Sequence, residues 1–235
     1  MPQARAFEDR VVVVTGGTGA LGRGVVQSLV DGGARVIVPN VDARLLETFD
    51  LASHPQVQVI DGADLLDEPR VDALYDGLQP IWASVHLVGG FKMAPIAATT
   101  AADMERMWRL NALSCFLATR AAIRSMRRGQ GGGRIVNVAA RPALTPTAGM
   151  VADATSKAAV VSLTQSVAEE VRAEGIWVNA IAPSIMDTPD NRRAMPRADH
   201  DKWPKVDDVA RAIVFLASPH NVLTTGLVMP VYGHG

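Results

Sequence analysis

An aspartate and a lysine stand one helical turn apart in the second half of the chain, at Asp153 and Lys157. The segment before them, 137–149, begins like a strand end and crosses a loop that contains Pro and Gly, and the residues after Lys157 have helical apolar spacing. Side chains four residues apart lie on one face of a helix, so the two charged groups can share a site. Such a pair could move protons, or it could simply stabilise the start of a helix.

A glycine-rich turn near the N-terminus is the second candidate site. Val11-Val-Val-Val-Thr15 has the β-branched composition of a buried parallel strand, and Gly16-Gly-Thr-Gly-Ala-Leu-Gly22 follows before a helical apolar pattern. Glycines let the backbone approach a pyrophosphate, and a helix N-terminus offers unpaired N–H groups. With the next strand at 34–40, the pattern predicts a dinucleotide site whose binding residues are Gly16, Thr18, Gly19, Leu21 and Gly22.

Together the two segments resemble the short-chain dehydrogenase/reductase family. In that family a serine closes the strand and a tyrosine lies four residues before the lysine; this chain keeps Lys157 but has Ala140 and Asp153 at those positions. The form of the glycine turn, with Ala20 at the middle glycine, and the segment 149–157 are also similar to dihydropteridine reductases, which lack the serine as well. The resemblance spans nearly the whole chain and implies an NAD(P)H-dependent oxidoreductase with a small-molecule substrate.

The resemblance also implies contacts to the two ends of the cofactor. At the adenosine end, Asn40 replaces the acidic residue that favours NAD, while Asp42 and Arg44 follow with opposite charges. The choice between NAD and NADP therefore stays open, with NADPH slightly favoured. Asp64 and the next residue are similar to the adenine-contacting pair, although Asp64 could instead cap the following helix. The remaining implied contacts are Leu65, Gly89, Lys157, Ile185 and Thr188.

The family's chemistry assigns roles to the altered site. Its lysine binds the nicotinamide ribose and lowers the tyrosine pKa, and its tyrosine gives a proton to the carbonyl oxygen; Asn111 matches an asparagine that holds a water on the lysine. A carboxylate kept ionised by Lys157 has no proton for a ketone but suits a cationic substrate. We therefore predict C=N reduction with Asp153, Lys157 and Asn111 as catalytic residues.

Three other interpretations of Asp153 remain open at the level of sequence. It could cap a helix in a cofactor-binding protein that has no activity, or act as the base of a lyase, isomerase or cyclase that performs no redox chemistry. It could also be an inactivating substitution in an ordinary reductase.

The order of elements predicts the architecture. We expect an α/β fold, a single doubly wound Rossmann domain over residues 1–235, with a seven-stranded parallel sheet and helices on both faces. The polar, Pro-interrupted residues 187–204 predict a mobile lid over the substrate. By analogy with the family, the helices around 101–128 and 153–174 predict a homodimer or homotetramer.

Composition limits the partners. With 23 Lys+Arg against 24 Asp+Glu, the net charge of −1 gives no field for nucleic acid or an anionic membrane. Cys115 is the single cysteine, which excludes an intramolecular disulfide and fits a reducing compartment, and no apolar run approaches membrane-spanning length. We expect a cytoplasmic protein without a metal site, in which Cys115 and His86 are packing residues.

Overall fold

A parallel sheet forms the centre of the protein and sets the positions of its loops. The computed structural model describes residues 6–129 and 131–234, and within them seven strands are ordered β3-β2-β1-β4-β5-β6-β7, each parallel to its neighbours. This confirms the predicted fold class, although residues 1–5, 130 and 235 of the expected domain lie outside the described residues. The strands are β1 (Val11–Thr15), β2 (Arg35–Pro39), β3 (Val57–Ile60), β4 (Ala83–His86), β5 (Gly133–Val138), β6 (Ile176–Pro183) and β7 (Val228–Val231).

Helices cover both faces of the sheet. Alternate side chains of a strand point to opposite faces, so Val12 and Val14 pack in one apolar cluster with the helices of residues 20–31 and 206–217, while Val11 and Val13 pack in another with the helices of residues 68–76, 114–127 and 151–171. The order of strands reverses between β1 and β4, which places a crevice at the carboxyl ends of these strands. The helices are α1 (Ala20–Asp31), α2 (Ala43–Glu47), α3 (Glu68–Asp76), α4 (Ala101–Met107), α5 (Ser114–Arg127), α6 (Val151–Val171), α7 (Pro189–Ala194) and α8 (Val206–Ala217).

One predicted helix is interrupted. The segment 101–128, expected to be a continuous helix, contains a π-helical turn at Trp108–Leu113 between α4 and α5. A π-turn inserts an extra residue into the helix and re-aims the side chains within it. Here the amide of Asn111 is directed at Gly90 and Ser156, with which it forms hydrogen bonds.

The expected lid contains regular structure of its own. Residues 187–204 include α7 and a 3-10 turn at His200–Lys202, and their mobility stays a prediction. The first of these residues, Asp187, forms ion pairs with Arg192 at 2.5 Å and Lys205 at 2.6 Å. Both cations favour the ionised carboxylate, which holds the pKa of Asp187 well below its usual range. Across the described ranges, none of the helices is both long and apolar enough to cross a membrane.

Candidate active site

The glycine turn after β1 leaves the N-terminus of α1 open to a ligand. Gly16 has a φ of +69°, and a Cβ at this position would lie 3.1 Å from the backbone that follows β4. A Cβ at Gly22 would overlap the carbonyl oxygen of Gly16, so both glycines are required for this close turn. The N-cap residue Gly19 offers no side chain to the first-turn N–H groups, and Ala20 is exposed. The turn therefore fits the pyrophosphate of a dinucleotide.

At the end of β2, the side chain of Asn40 forms hydrogen bonds to other residues of the protein. It is buried, its Oδ1 accepts from the Thr18 hydroxyl at 3.2 Å, and its Nδ2 donates to the carboxylate of Asp61 at 3.0 Å and to the carbonyl of Asp42 at 3.1 Å. Asn40 and Thr18 thus hold the glycine turn against β2. The exposed charged groups here are those of Asp42 and Arg44, which lie 3.4 Å apart.

The next segment settles one of the alternatives for Asp64. Its carboxylate accepts from the N–H of Leu66 at 2.9 Å, which forms a local turn, while α3 is capped by Asp67 through the N–H of Arg70 at 3.2 Å. The expectation that Asp64 could cap this helix is therefore wrong, because the cap lies three residues later. Leu65 is buried in the apolar core.

Lys157 is fixed by the carboxyl end of β5. Its ammonium group donates to the carbonyl of Val138 at 2.8 Å, and a Cβ at Gly89 would lie 3.2 Å from the same nitrogen. The absence of a side chain at Gly89 therefore keeps the space beside the ammonium group free. Burial lowers the pKa of Lys157, while the nearby Asp153 and Cys115 act in the opposite direction.

Asp153 lies in the first turn of α6, and the residue as a whole is buried. The residue is 3 % exposed, and among the described residues no hydrogen bond or ion pair is made by its carboxyl oxygens. Burial raises the pKa of Asp153, and the lowering effect of Lys157 is smaller. The sequence led us to expect that Lys157 has the main influence on this carboxyl group, but burial, which favours the neutral acid, has the larger effect on its pKa.

The helix-cap interpretation of Asp153 is also wrong. Helix α6 begins at Val151 after Met150, and no side-chain hydrogen bond caps it. The carboxyl group accepts no capping hydrogen bond from the helix N–H groups, and burial raises its pKa. Titratable groups with a pKa shifted by burial and a charged neighbour are concentrated at functional sites, so this position is a candidate for chemistry.

Asn111 connects the loop after β4 to α6. Its Oδ1 accepts from the N–H of Gly90 at 2.8 Å, and its Nδ2 donates to the carbonyl of Gly90 at 3.2 Å and to the hydroxyl of Ser156 at 2.8 Å. Ser156 in turn donates to the carbonyl of Asp153 at 2.8 Å. The sequence indicated the glycine pair 89–90 as a cofactor loop but not its hydrogen bonds to Asn111, and it gave no role to Ser156, although an amide inside an apolar helical segment was a signal that a polar partner exists. The water-holding role of Asn111 stays a prediction.

The loop after β6 carries the two remaining predicted contacts. Thr188 is buried and caps α7 by accepting from the N–H of Asn191 at 3.2 Å, which leaves its hydroxyl hydrogen able to donate. Ile185 is 45 % exposed. Their contacts to a nicotinamide stay predictions.

A buried chain of hydrogen-bonded polar side chains links α3, β4, β5 and α6. Tyr75 and Ser84 are 2.8 Å apart, Ser84 lies 2.8 Å from Nε2 of His86, and Nδ1 of His86 lies 2.8 Å from Oδ1 of Asn137. Nδ2 of Asn137 donates to the hydroxyl of Thr164 at 2.9 Å, so its oxygen accepts and the proton of the imidazole is on Nδ1. Burial lowers the pKa of His86 to about 4, which keeps the ring neutral. His86 is thus a packing residue, as expected, but within a network that the sequence did not reveal.

Fold and site together define a dinucleotide-binding α/β protein of the oxidoreductase type. Residues 10–198 match the short chain dehydrogenase family, and the chain belongs to this family.

Its relatives include dehydrogenases that align over almost the whole chain. Cis-4-hydroxycyclohexanecarboxylate dehydrogenase of Sinomonas cyclohexanicum is 31% identical over 247 residues, which cover 97% of both chains. 4-Formylbenzenesulfonate dehydrogenase TsaC1/TsaC2 of Comamonas testosteroni is 28% identical and covers 97% of this chain and 98% of that protein. Among solved structures, the NADPH-bound short chain oxidoreductase from Pseudomonas aeruginosa PAO1, which contains an atypical catalytic center, has a TM-score of 0.88, 26% identity and 97% coverage of both chains. The chain is therefore an oxidoreductase of this family.

Proposed function

We propose that this protein is an NAD(P)H-dependent reductase of C=N bonds in which Asp153 takes the place of the family's tyrosine as proton donor. The observation that carries the proposal is the position of Asp153: the residue is buried, burial raises the pKa of its carboxyl group, and it lies one helical turn from Lys157. The local similarity to dihydropteridine reductases supports the same chemistry.

The proton balance of the reaction favours an imine. A carboxylic acid can protonate an imine nitrogen before reduction, and burial, which raises the pKa of Asp153, brings the acid closer to the pKa of a protonated imine. The resulting carboxylate then faces the cationic C=N carbon and stabilises it. When bound, the cofactor supplies the hydride that this carbon accepts. The product is an amine, and Asp153 recovers its proton from solvent.

The other residues hold the reactants in place. The glycine turn and the N-terminus of α1 fit the pyrophosphate, and Lys157, fixed on the carbonyl of Val138, is placed to bind the nicotinamide ribose. We propose a preference for NADPH, because Arg44 is the exposed cation at the end of β2 and Asn40 offers no carboxylate there. A cytoplasmic location stays a prediction.

Carbonyl reduction is the second candidate function. It is favoured by the names of the relatives, which are dehydrogenases of a formyl and a hydroxy compound. A neutral Asp153 could protonate the oxygen as the hydride arrives. However, the pKa of a carboxylic acid is further from that of an alcohol than from that of a protonated imine.

The test compares the native protein with Asp153→Asn and Asp153→Tyr, with Asp31→Asn as control because that carboxylate is exposed at the C-terminal end of α1 and lies outside the predicted lid. NADPH and NADH binding is measured by fluorescence, and turnover is measured with a cyclic imine and an aldehyde of similar size. We expect all four proteins to bind cofactor. Asp153→Asn should lose imine reduction by about 10²–10⁴-fold, the usual size of a general-acid contribution. Asp153→Tyr should gain aldehyde reduction.

Each other result contradicts a specific part of the proposal. Undiminished imine turnover in Asp153→Asn removes Asp153 from the chemistry, and faster aldehyde than imine turnover in the native protein favours the second candidate. Cofactor binding without any turnover would make the protein an inactive member of its family. Turnover without cofactor oxidation would indicate a lyase, isomerase or cyclase.

A further inference from the structure

A cavity of about 320 Å³ lies beside the N-terminus of α6. Its walls come from the loops after β4 and β5 and from the first turn of α6. Apolar cavities of ~150 Å³ are large enough to hold a benzene ring, so this space can take a ring-sized group. The lining residues are Ala94, Ile96, Pro142, Pro146, Thr147, Gly149, Val151 and Ala154.

The cavity walls offer no charge and little hydrogen bonding. None of the eight lining residues is ionisable, and the single hydroxyl among their side chains, that of Thr147, already donates to the carbonyl of Thr145 at 3.2 Å. The nearest basic residue in the chain, Arg141, is not part of the lining, and its guanidinium lies 5.0 Å from the centre of the Tyr232 ring. A charged group placed in this cavity would therefore gain no charged partner from its walls and would displace water from apolar surface at a cost.

The two loops that form the walls are joined to each other. The N–H of Ala94 donates to the carbonyl of Gly149 at 2.8 Å, and Gly149 has a φ of +76° that favours glycine. Large apolar side chains remain exposed on the loops that follow β4 and β5: Phe91, Met93, Ile96 and Leu144. Apolar surface that stays exposed around a concave site is typical of ligand binding.

The cavity lies next to the proposed proton donor and not over it. Val151 and Ala154 line the cavity, whereas Asp153, between them in sequence, is not part of the lining. In a helix, Asp153 points more than a quarter turn away from both of these residues and toward the face of Lys157. The cavity is therefore suited to a substituent of the substrate and not to its reacting atoms.

We propose, building on the reductase function above, that this cavity binds an uncharged, apolar, ring-sized substituent of the substrate. Substrates that carry a carboxylate, sulfonate or phosphate on this substituent bind more weakly, because the lining offers apolar surface and no cation to pair with them. The site thus selects for hydrophobic imines or carbonyl compounds.

Binding is tested without turnover, so that a failure of the proposed reaction does not decide the result. The ¹³C-methyl signals of Ile96 and Ala154 are followed by NMR during titration with cyclohexylmethanol and, separately, with cyclohexanecarboxylate, which has the same ring and a charge. We expect saturable shifts with the alcohol and at least about tenfold weaker binding of the carboxylate.

Two matched variants locate the binding site. Ala154→Leu fills the cavity and should weaken binding of the alcohol at least about tenfold, whereas Ala158→Leu, one turn further along α6 and exposed, should not change it. Thr147→Phe fills the cavity from the opposite wall and gives the same test if Ala154→Leu does not fold. Absence of saturable shifts, equal binding of the carboxylate, or unchanged binding in the filled variants would each overturn the proposal. Binding without turnover would leave it intact and contradict the reductase function alone.

Discussion

Burial determines the state of Asp153 more strongly than its charged neighbour does. Lys157 lies one turn away, yet its ammonium group donates to the carbonyl of Val138, so the two charges do not form a close ion pair. A carboxyl group that loses water and gains no hydrogen bond is easier to keep protonated. The same burial lowers the pKa of Lys157, so the site holds an acid and a base that both favour their neutral forms more than they would in water.

Replacement of Asp153 by Asn should increase the stability of the protein at neutral pH. The folded-state pKa of Asp153 lies above that of the unfolded chain, so the folded state binds the proton more tightly and loses stability as the pH rises through this range. Asn keeps the shape and has no charge to desolvate. The free energy of unfolding, measured with urea from pH 4 to 7, should favour the variant by an amount that grows with pH.

The exposed Asp31→Asn variant is the control for this measurement and should not reproduce the gain. A variant at position 153 that is less stable than the native protein at pH 7 would mean that the carboxylate has a stabilising partner. Gain of stability with loss of activity is the usual consequence of removing a functional group that is costly to bury.

At the level of elements, the sequence predicts those strands, helices and turns that are determined by a local pattern of residue types. The β-branched run of β1 and the glycines after it determine a strand and a turn, because no other backbone geometry suits those residues. The π-turn at 108–113 could not be predicted, because apolar spacing continues through it and the partners of Asn111 are 21 and 45 residues away in sequence. The orientation of Lys157 toward a strand carbonyl is likewise a tertiary contact that has no local signal.

The glycine turn gives a prediction with a control in the same helix. Gly22→Ala places a Cβ against the backbone of Gly16 and Gly17, so the turn must open. We expect NADPH binding to weaken by at least tenfold and the thermal midpoint to fall, because the pyrophosphate site and the helix packing share this contact.

Gly24→Ala is the matched variant, two residues further along α1. Its Cβ would meet Val206, Asp207 and Ala210 of α8 at 3.4–3.5 Å, which is ordinary contact. Alanine is a better helix former than glycine by roughly 0.5–1 kcal/mol, so this variant should be slightly more stable and bind NADPH normally. Normal NADPH binding by Gly22→Ala, measured by fluorescence titration, would contradict the assignment of this turn to the cofactor.

At the scale of the whole molecule, the exposed apolar side chains of the α4–α5 segment bear on assembly. Met104, Trp108 and Phe116 are 37 %, 53 % and 43 % exposed, although apolar side chains of this size are usually buried. The family resemblance predicts a homodimer or homotetramer through this segment and α6. An interface there would involve the π-turn and α6, which are the elements that carry Asn111 and Asp153.

We expect the native protein to elute as a dimer or tetramer in size-exclusion chromatography with light scattering at micromolar concentration. Phe116→Glu should lower the measured mass toward that of a single chain, because burying a carboxylate without a partner in an apolar interface is costly. Phe116 is chosen because it lies in α5, outside the π-turn that positions Asn111. Leu45→Glu, on α2 and 41 % exposed, is the control and should leave the mass unchanged. A native protein that elutes as a monomer would show that Asn111 and Asp153 need no second copy to be held in place.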